Sequence, residues 1–577
     1  MKTDVLEERY PNLSFLLRMD ETASLPFSLH EDNLDKEVGK AIKPLKMEAL
    51  EVVYIYGLGL GYYYFPFKEW LAENKERDLI FIEESLSVLK VFLEMEHAGE
   101  ILSHPQVHIR FNLDKKRLTS FVEECARSFP VERMGIIALS SYKKRHRSRF
   151  YRLRLKLHRQ TTIEHALFHE NRYYNHFIDN FIPNFYRMEN SFDGNGLKDA
   201  FKDIPAIVCG AGPSLANDIE TLRRLQERAL IFAGGSAITA LSHQGVIPHF
   251  GIAYDPNEEE LKRFMAASSF EIPILYASRL HAGIFNTCNG PSGYLHTQTG
   301  GWAEYWMEDK LGLNQEPLQM GFTMEALSVT TAALQLACSY GCNPIILVGV
   351  DLAFTNNQAY TLGVMTSSSA RLKKRKEEVR TSEKLLSRKD IYGNPISTLI
   401  KWVMESATIS TFVKNNSDFT FINATSGGLG FKNVPNTLLH KLSFSCCYDL
   451  YGMVHQAIET HPLPIAPGKI EEQITLLRES LEKAESYIGI AFEELEKVKG
   501  KGVDPETGRL IFAQMELETL DAYIALLRSH DSSFAVLLNR KYRPNTWGKI
   551  SYSLKWNFLY SKWSAYKNLI QEYKEKI

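Results

Sequence analysis

The sequence predicts an α/β protein with two doubly wound domains and a helical C-terminal domain. Three observations carry that reading. Apolar, strand-like runs enter glycine turns at two places, "VVYIYGLGLGYYY" (52–64) and "DIPAIVCGAGPSL" (203–215). Each turn is followed by alternating helical and strand-like patterns, as in a parallel sheet covered on both faces. Near the C-terminus, "IEEQITLLRESLEKAESYIGIAFEELEKV" (470–498) repeats apolar residues at helical spacing. At 577 residues the chain is too long for one core, so two to four domains are expected.

Residues 1–140 read as the first domain. Val52 to Tyr56 is a β-branched and aromatic run entering Gly57, Gly59 and Gly61, and "DLIFIEES" is a second strand ending in Glu83 and Glu84. "SLSVLKVFLEM" is a helix and "VHIRFN" a third strand. The layout is that of a Rossmann-like half-sheet. The turn is GxGxG rather than GxGxxG. Glu83 and Glu84 fall where a ribose-binding carboxylate would follow such a loop, so a nucleotide or S-adenosylmethionine site and a ligand-free tight turn both stay open.

Residues 141–200 read as a helical linker. "YKKRHRSRFYRLRLKLHR" holds nine Lys and Arg between Lys143 and Arg159 and no acid; it is either a solvated helix face or a surface for phosphate, membrane or an acidic partner. Residues 441–577 read as a helical domain whose basic, aromatic end (Arg540, Lys541, Trp547, Trp556, Trp563) fits packing within a bundle better than base stacking or a membrane interface.

Residues 201–440 are the richest region. "PAIVCGAG", "ALIFAGGSA", "HFGIAYDP", "PILYAS" and "PIILVGVDLAF" each read as a short buried strand, with helical patterns at 216–227, 258–267 and 330–340. Ligands of such sheets lie beyond the carboxyl ends of the strands. Polar residues gather there: Gly210, Gly212, Pro213 and Ser214; Gly234, Gly235 and Ser236; Asp255 and Asn257; Asp351. A strand, "GAGPSL" and a helix would aim the amides of Gly212 to Leu215 at a phosphate, although no GK[ST] follows to make a Walker A loop. Asp255 is placed as a base, a ribose or metal contact, or a helix cap. Asp351, ending the most apolar strand, needs a partner if buried. His281 and His296 are candidate bases, and no HxxxH pair occurs in this region, so no metal site is expected.

Composition limits the function. A net charge of -2 gives no electrostatic case for nucleic acid. Seven scattered cysteines without a CxxC pair suggest reduced thiols in a cytoplasm. "MKTDVLEERY" does not read as a secretory signal, and no run approaches the ~20 apolar residues of a membrane helix.

"AIVCGAGPSL", "HFGIAYDPN", "SVTTAALQLACSYGCNPIILVGVDLAFTNNQAY" and "FINATSGGLGF", with the N-terminal "YIYGLGLGYYY" and "NHFIDNFIPNF", resemble the motility associated factor (Maf) family. Members of that family are implicated in glycosylating flagellin with nonulosonic acids. Its central domain is related to an archaeal 6-hydroxymethylpterin diphosphokinase (MptE-like), and its fold is similar to that of CMP-sialic acid sialyltransferases. The resemblance spans roughly residues 50–440. It implies phosphate contacts at Gly212 and Ser214, a nucleotide contact at Ser236, cytosine contacts near Ser328 and Thr330, and a leaving-phosphate contact at Tyr360. Ala211 stands where the sialyltransferases carry a gripping Asn, and Phe354 where they carry a Tyr.

The expected activity is therefore transfer of a nonulosonic sugar from a CMP-activated donor to Ser or Thr of a flagellin-like or other surface protein. Asp255 or His296 would act as base, and the 210–215 turn with Tyr360 would stabilise the leaving phosphate. The alternatives are an ATP- and Mg²⁺-dependent pterin-type diphosphokinase using Asp255 and Asp351, and a catalytically silent nucleotide-binding scaffold. The basic segment 365–389 reads either as a mobile cover that closes over the site or as a solvated helix start.

Overall fold

A computed structural model of the chain describes residues 2–19, 28–111, 115–129, 133–172, 174–267, 271–297, 299–313, 328–361, 363–364, 385–444, 446–542 and 552–577. It divides into two units: Met1–Arg172 with Ser532–Leu559, and Tyr173–Asp531 with Tyr560–Ile577. The basic segment 365–389, read as a cover or a solvated helix start, lies largely outside the described residues.

In the first unit, β1 (Val52–Tyr56), β2 (Asp78–Glu83), β3 (Val107–Phe111) and β4 (Met134–Ala138) form a parallel sheet in the order β3-β2-β1-β4. Every residue of β1 is buried, which is why its sequence is continuously apolar rather than alternating. The basic stretch after β4 forms helices Ser140–Arg145 and Arg147–Arg172. Phe150, Leu153 and Leu157 pack into the core, while Lys144 and Arg149 pair with Glu31 and Glu84 at the surface.

The second unit is built on an eight-stranded sheet. Its strands are β5 (Phe192–Asp193), β6 (Ala206–Cys209), β7 (Leu230–Gly234), β8 (Phe250–Ala253), β9 (Ile274–Tyr276), β10 (Ser292–Tyr294), β11 (Ile345–Val348) and, after the two-stranded hairpin β12 (Leu386–Lys389) and β13 (Pro395–Thr398), β14 (Phe421–Asn423). The order is β14-β11-β6-β7-β8-β9-β10-β5, with all its pairs parallel. The five buried strands expected between residues 201 and 440 all form. The strands not foreseen (β5, β10, β14) add to the flanks of the sheet and are two or three residues long, too short to imprint a pattern. Phe232, Phe250, Tyr340, Leu334 and Leu347 fill the core beneath the sheet.

The chain winds from β6 through β10 in one direction, then returns to place β11 on the other side of β6. The crevice between the carboxyl ends of β6 and β11 is thus the topological switch point, where doubly wound sheets bind ligands. Beyond the sheet, helices Leu450–Glu459, Lys469–Val498 and Gly508–Thr519 belong to this unit, as do the buried Trp563, Tyr566 and Tyr573 of the last helix. These aromatics pack inside the bundle, with Tyr573 Oη 2.6 Å from His530 Nε2. Among the described residues, no helix is long and apolar enough to cross a membrane.

Candidate functional site

At the switch point lies a cavity of about 230 Å³, bordered by the ends of β6, β7, β8 and β11. Gly210, Gly212, Ser236, Asp255, Ser328, Thr330, Asp351 and Tyr360 all line it, so most of the residues singled out from sequence converge.

The glycine turn is built differently from the sequence expectation. Pro213–Asn217 is a 3-10 turn, and the α-helix behind it, Ile219–Leu225, has only seven residues. The amides from 212 to 215 are largely committed inside the protein. Gly212 N–H donates to Gly349 O (2.8 Å) and Leu215 N–H to Gly212 O (3.0 Å). Ser214 donates both its N–H (3.3 Å to Oδ2) and its Oγ–H (2.6 Å to Oδ1) to Asp351. The buried Asp351 carboxylate thus sits where a phosphate was expected. Burial raises its pKa, and the Ser214 bonds oppose that shift. Both glycines are required by this packing: a Cβ on Gly210 would lie 2.5 Å from Gly349 O, and one on Gly212 2.2 Å from Asp351 Oδ1. Leu215 is a core residue. Pro213 and Ser214 face a separate polar groove that also contains Asn357, Asp390 and Tyr392.

Two helix starts border the cavity, and one of them lacks a side-chain cap. Helix Gly235–Ser242 begins without a side-chain cap, and Gly235, Ser236 and Ala237 line the cavity. Its first-turn amides and dipole favour an anion. Helix Val329–Ser339 is closed by a capping box, with Ser328 Oγ accepting from Thr331 N (3.2 Å) and Thr331 Oγ1 accepting from Ser328 N (3.0 Å). Ser328 also donates to Glu405.

Asp255 lines the cavity but does not cap the following helix. Asn257 does so, its Oδ1 accepting from Glu260 N at 3.1 Å. Asn257 is exposed and is not among the cavity-lining residues. Two asparagines of helix Tyr174–Met188 brace the loops beside Asp255: Asn180 Nδ2 donates to Pro256 O (3.2 Å), and Asn184 Nδ2 to Ser278 O and Leu280 O (2.8 and 2.6 Å). His296 lies beyond β10, in ion-pair contact with Glu308, and does not line the cavity.

Glu260, Arg263, Trp402 and Glu405 line the cavity and were not anticipated. Glu260 and Arg263 stand at i and i+3 on helix Glu258–Met265 and pair at 2.8 Å. Burial, helped by Asp255, pushes the Glu260 carboxyl up to about 7 against Arg263. Burial pushes that of Glu405 up to about 6. The i, i+3 spacing in "NEEELKRFM" was a legible clue to the pair. Glu405 and Trp402 stand on helix Ile400–Asn415, about 75 residues from Ser328, and no local pattern links them. Phe354 is buried against Trp402 (ring centroids 5.1 Å apart) and borders the separate polar groove rather than this cavity, so it offers the site no hydroxyl.

The second unit is thus a doubly wound α/β domain with an acidic, Arg-containing cavity at its switch point. Residues 179–357 match the family model described as 6-hydroxymethylpterin diphosphokinase MptE-like, so the chain carries an MptE-like domain. The whole chain is similar to the structure of a Maf glycosyltransferase from Magnetospirillum magneticum AMB-1, at 12% identity and a TM-score of 0.53, covering 100% of this chain and 96% of that one. At that identity the likeness establishes a shared fold. No curated protein matches the chain.

Proposed function

We propose that the second unit is a glycosyltransferase that takes a CMP-activated nonulosonic sugar and transfers it to a Ser or Thr hydroxyl of an acceptor protein. The observation that carries this reading is the start of helix Gly235–Ser242, which has no side-chain cap and borders the switch-point cavity together with Arg263. The donor phosphate would be held by the amides of Gly235 to Ala237, the Ser236 hydroxyl and the Arg263 guanidinium, which Glu260 positions. Thr330 and Ser328 border the place for the base. Asp255 would take the acceptor proton, and Tyr360 would donate to the departing phosphate as the glycosidic bond breaks. The fold shared with a Maf glycosyltransferase supports this reading.

A second reading has a specific observation behind it. Asp255, Glu260, Asp351 and Glu405 all line the cavity, and so acidic a lining suits Mg²⁺ with a nucleoside triphosphate. The match to a diphosphokinase-like family points the same way. Thermal-shift titration with CMP and ATP, each with and without Mg²⁺, separates the two. Stabilisation by CMP without metal supports transfer, and stabilisation by ATP only with Mg²⁺ supports the diphosphokinase. No shift with either rejects both.

A further inference from the structure

A second cluster lies beyond the carboxyl ends of β9 and β10. His296 follows β10, and Glu304 and Glu308 stand one turn apart on helix Gly301–Leu311. One ligand atom from each lies within 4.8 Å of the others. None of the three lines the switch-point cavity.

We propose that His296, Glu304 and Glu308 bind one divalent transition-metal cation. Both carboxylates are buried, Glu304 completely. Among the described residues, neither hydrogen bonds nor ion pairs bring a Lys or Arg to them. His296 supplies at most one positive charge for two carboxylates, and buried charge without compensation is unfavourable. Glu304 Oε1 is buried with no hydrogen-bond partner among the described residues. That orphaned oxygen belongs to a group whose other oxygen, Oε2, is fixed by Ser278 Oγ and by Gly300 N at 3.2 Å.

The remaining contacts orient ligands, as the surroundings of metal sites do. Tyr294 Oη donates to Glu308 Oε1 (2.7 Å), leaving Oε2 toward His296. Asn195 holds the His296 backbone from both sides, accepting from its N–H (3.1 Å) and donating to its carbonyl (3.3 Å). Gly300 admits this packing because a Cβ there would lie 2.2 Å from Ser278 Oγ. One imidazole nitrogen with two carboxylates selects Zn²⁺ or Mn²⁺ over Mg²⁺ and Ca²⁺, which prefer oxygen alone. The His296 side chain is 14% exposed, which gives the ion an entry path. The cation would pin the loop after β10 to the start of the next helix.

The test uses the full-length chain carrying Cys446→Ser and Cys447→Ser, because those exposed thiols would bind zinc on their own. After chelator treatment, calorimetric titration with Zn²⁺, Mn²⁺ and Mg²⁺ is compared with metal content by mass spectrometry. One equivalent of Zn²⁺ or Mn²⁺ is expected, bound at least about tenfold more tightly than Mg²⁺. His296→Ala and Glu304→Gln are each expected to weaken it at least about tenfold. If Glu304→Gln does not fold, His296→Ala, at the solvent edge, decides alone. Equal binding in the parent and His296→Ala, absence of binding in the parent, or preference for Mg²⁺ each overturns the proposal. Nucleotide binding is measured in the same samples, and its failure leaves the metal result standing.

Discussion

Two strands of this chain run into glycine turns: the β6 turn borders the switch-point cavity, and the β1 turn is packed closely by side chains of its own unit. β1 runs into Gly57, Gly59 and Gly61, and β6 into Gly210 and Gly212. Each strand is the third of a four-strand run ordered 3-2-1-4, and each turn hands amides to a carboxylate from a neighbouring strand end. After β1, Glu83 accepts from Leu58 N, Glu84 N and Ser85 N (2.8–2.9 Å) and from Tyr142 Oη (2.6 Å). After β6, Asp351 accepts from Ser214. What stands above the turn differs. A Cβ on Gly57 would lie 2.8 Å from the Tyr142 ring, and one on Gly59 2.6–2.7 Å from Leu139 and His30. All three β1 glycines have positive φ, and the loop packs directly against side chains from elsewhere in the first unit. Beside the β6 turn lies the switch-point cavity, which Gly234, Gly235 and Ser236 also border. A glycine turn marks close backbone approach, to a ligand or to the protein itself.

Gly212→Val strikes this contrast hardest. The new side chain meets Asp351 and the Gly349 carbonyl (2.2 and 2.6 Å from the Cβ position), and overpacking of that kind costs about 3 kcal/mol. Urea unfolding should show the loss directly. Wild-type stability in this variant would mean that the turn can open and that its amides are available to a ligand after all.

Tyr142→Phe sharpens the other side. Removing the hydroxyl that donates to Glu83 should lower stability by about 1.5 kcal/mol and leave nucleotide affinity unchanged. A loss of nucleotide affinity would place a ligand at the β1 turn. Arg263→Ala should do the reverse, weakening CMP binding about tenfold, or about 1.4 kcal/mol, as read by calorimetry. Unchanged affinity would remove Arg263 from the phosphate site.

The smallest effect is a dependence on pH. Glu405 and Glu260 lose their protons near 6 and 7. Above those values each carboxylate is charged and repels a phosphodiester, whose own charge is constant across the window. Affinity for a CMP-sugar should therefore fall severalfold between pH 6 and 8, and Glu260→Gln should flatten the slope. Binding of Mg²⁺ with ATP would instead tighten over the same range, because ionised carboxylates hold the cation.

The sequence made the five principal strands of the second unit and both glycine turns legible, because a buried parallel strand must be continuously apolar and a tight turn needs glycine. It also brought Ser236, Asp255 and Asp351 to one edge, since each follows an apolar strand, whereas Tyr360 came only from the family resemblance. It could not tell an empty turn from a filled one. The residues that decide this come from far along the chain: Tyr142 over Gly57, Asp351 under Ser214, Glu405 against Ser328. Asn257 illustrates a related limit. A polar residue at a strand end can serve a ligand or the next helix, and only the hydrogen bond to Glu260 N assigns it to the helix.

Amide hydrogen exchange with and without saturating CMP tests the central claim, that the nucleotide site belongs to the β6–β11 switch point and not to the β1 turn. Protection is predicted in peptides covering 234–237 and 328–331, with exchange at 57–61 unchanged. Protection at 57–61 with 234–237 unaffected would contradict it.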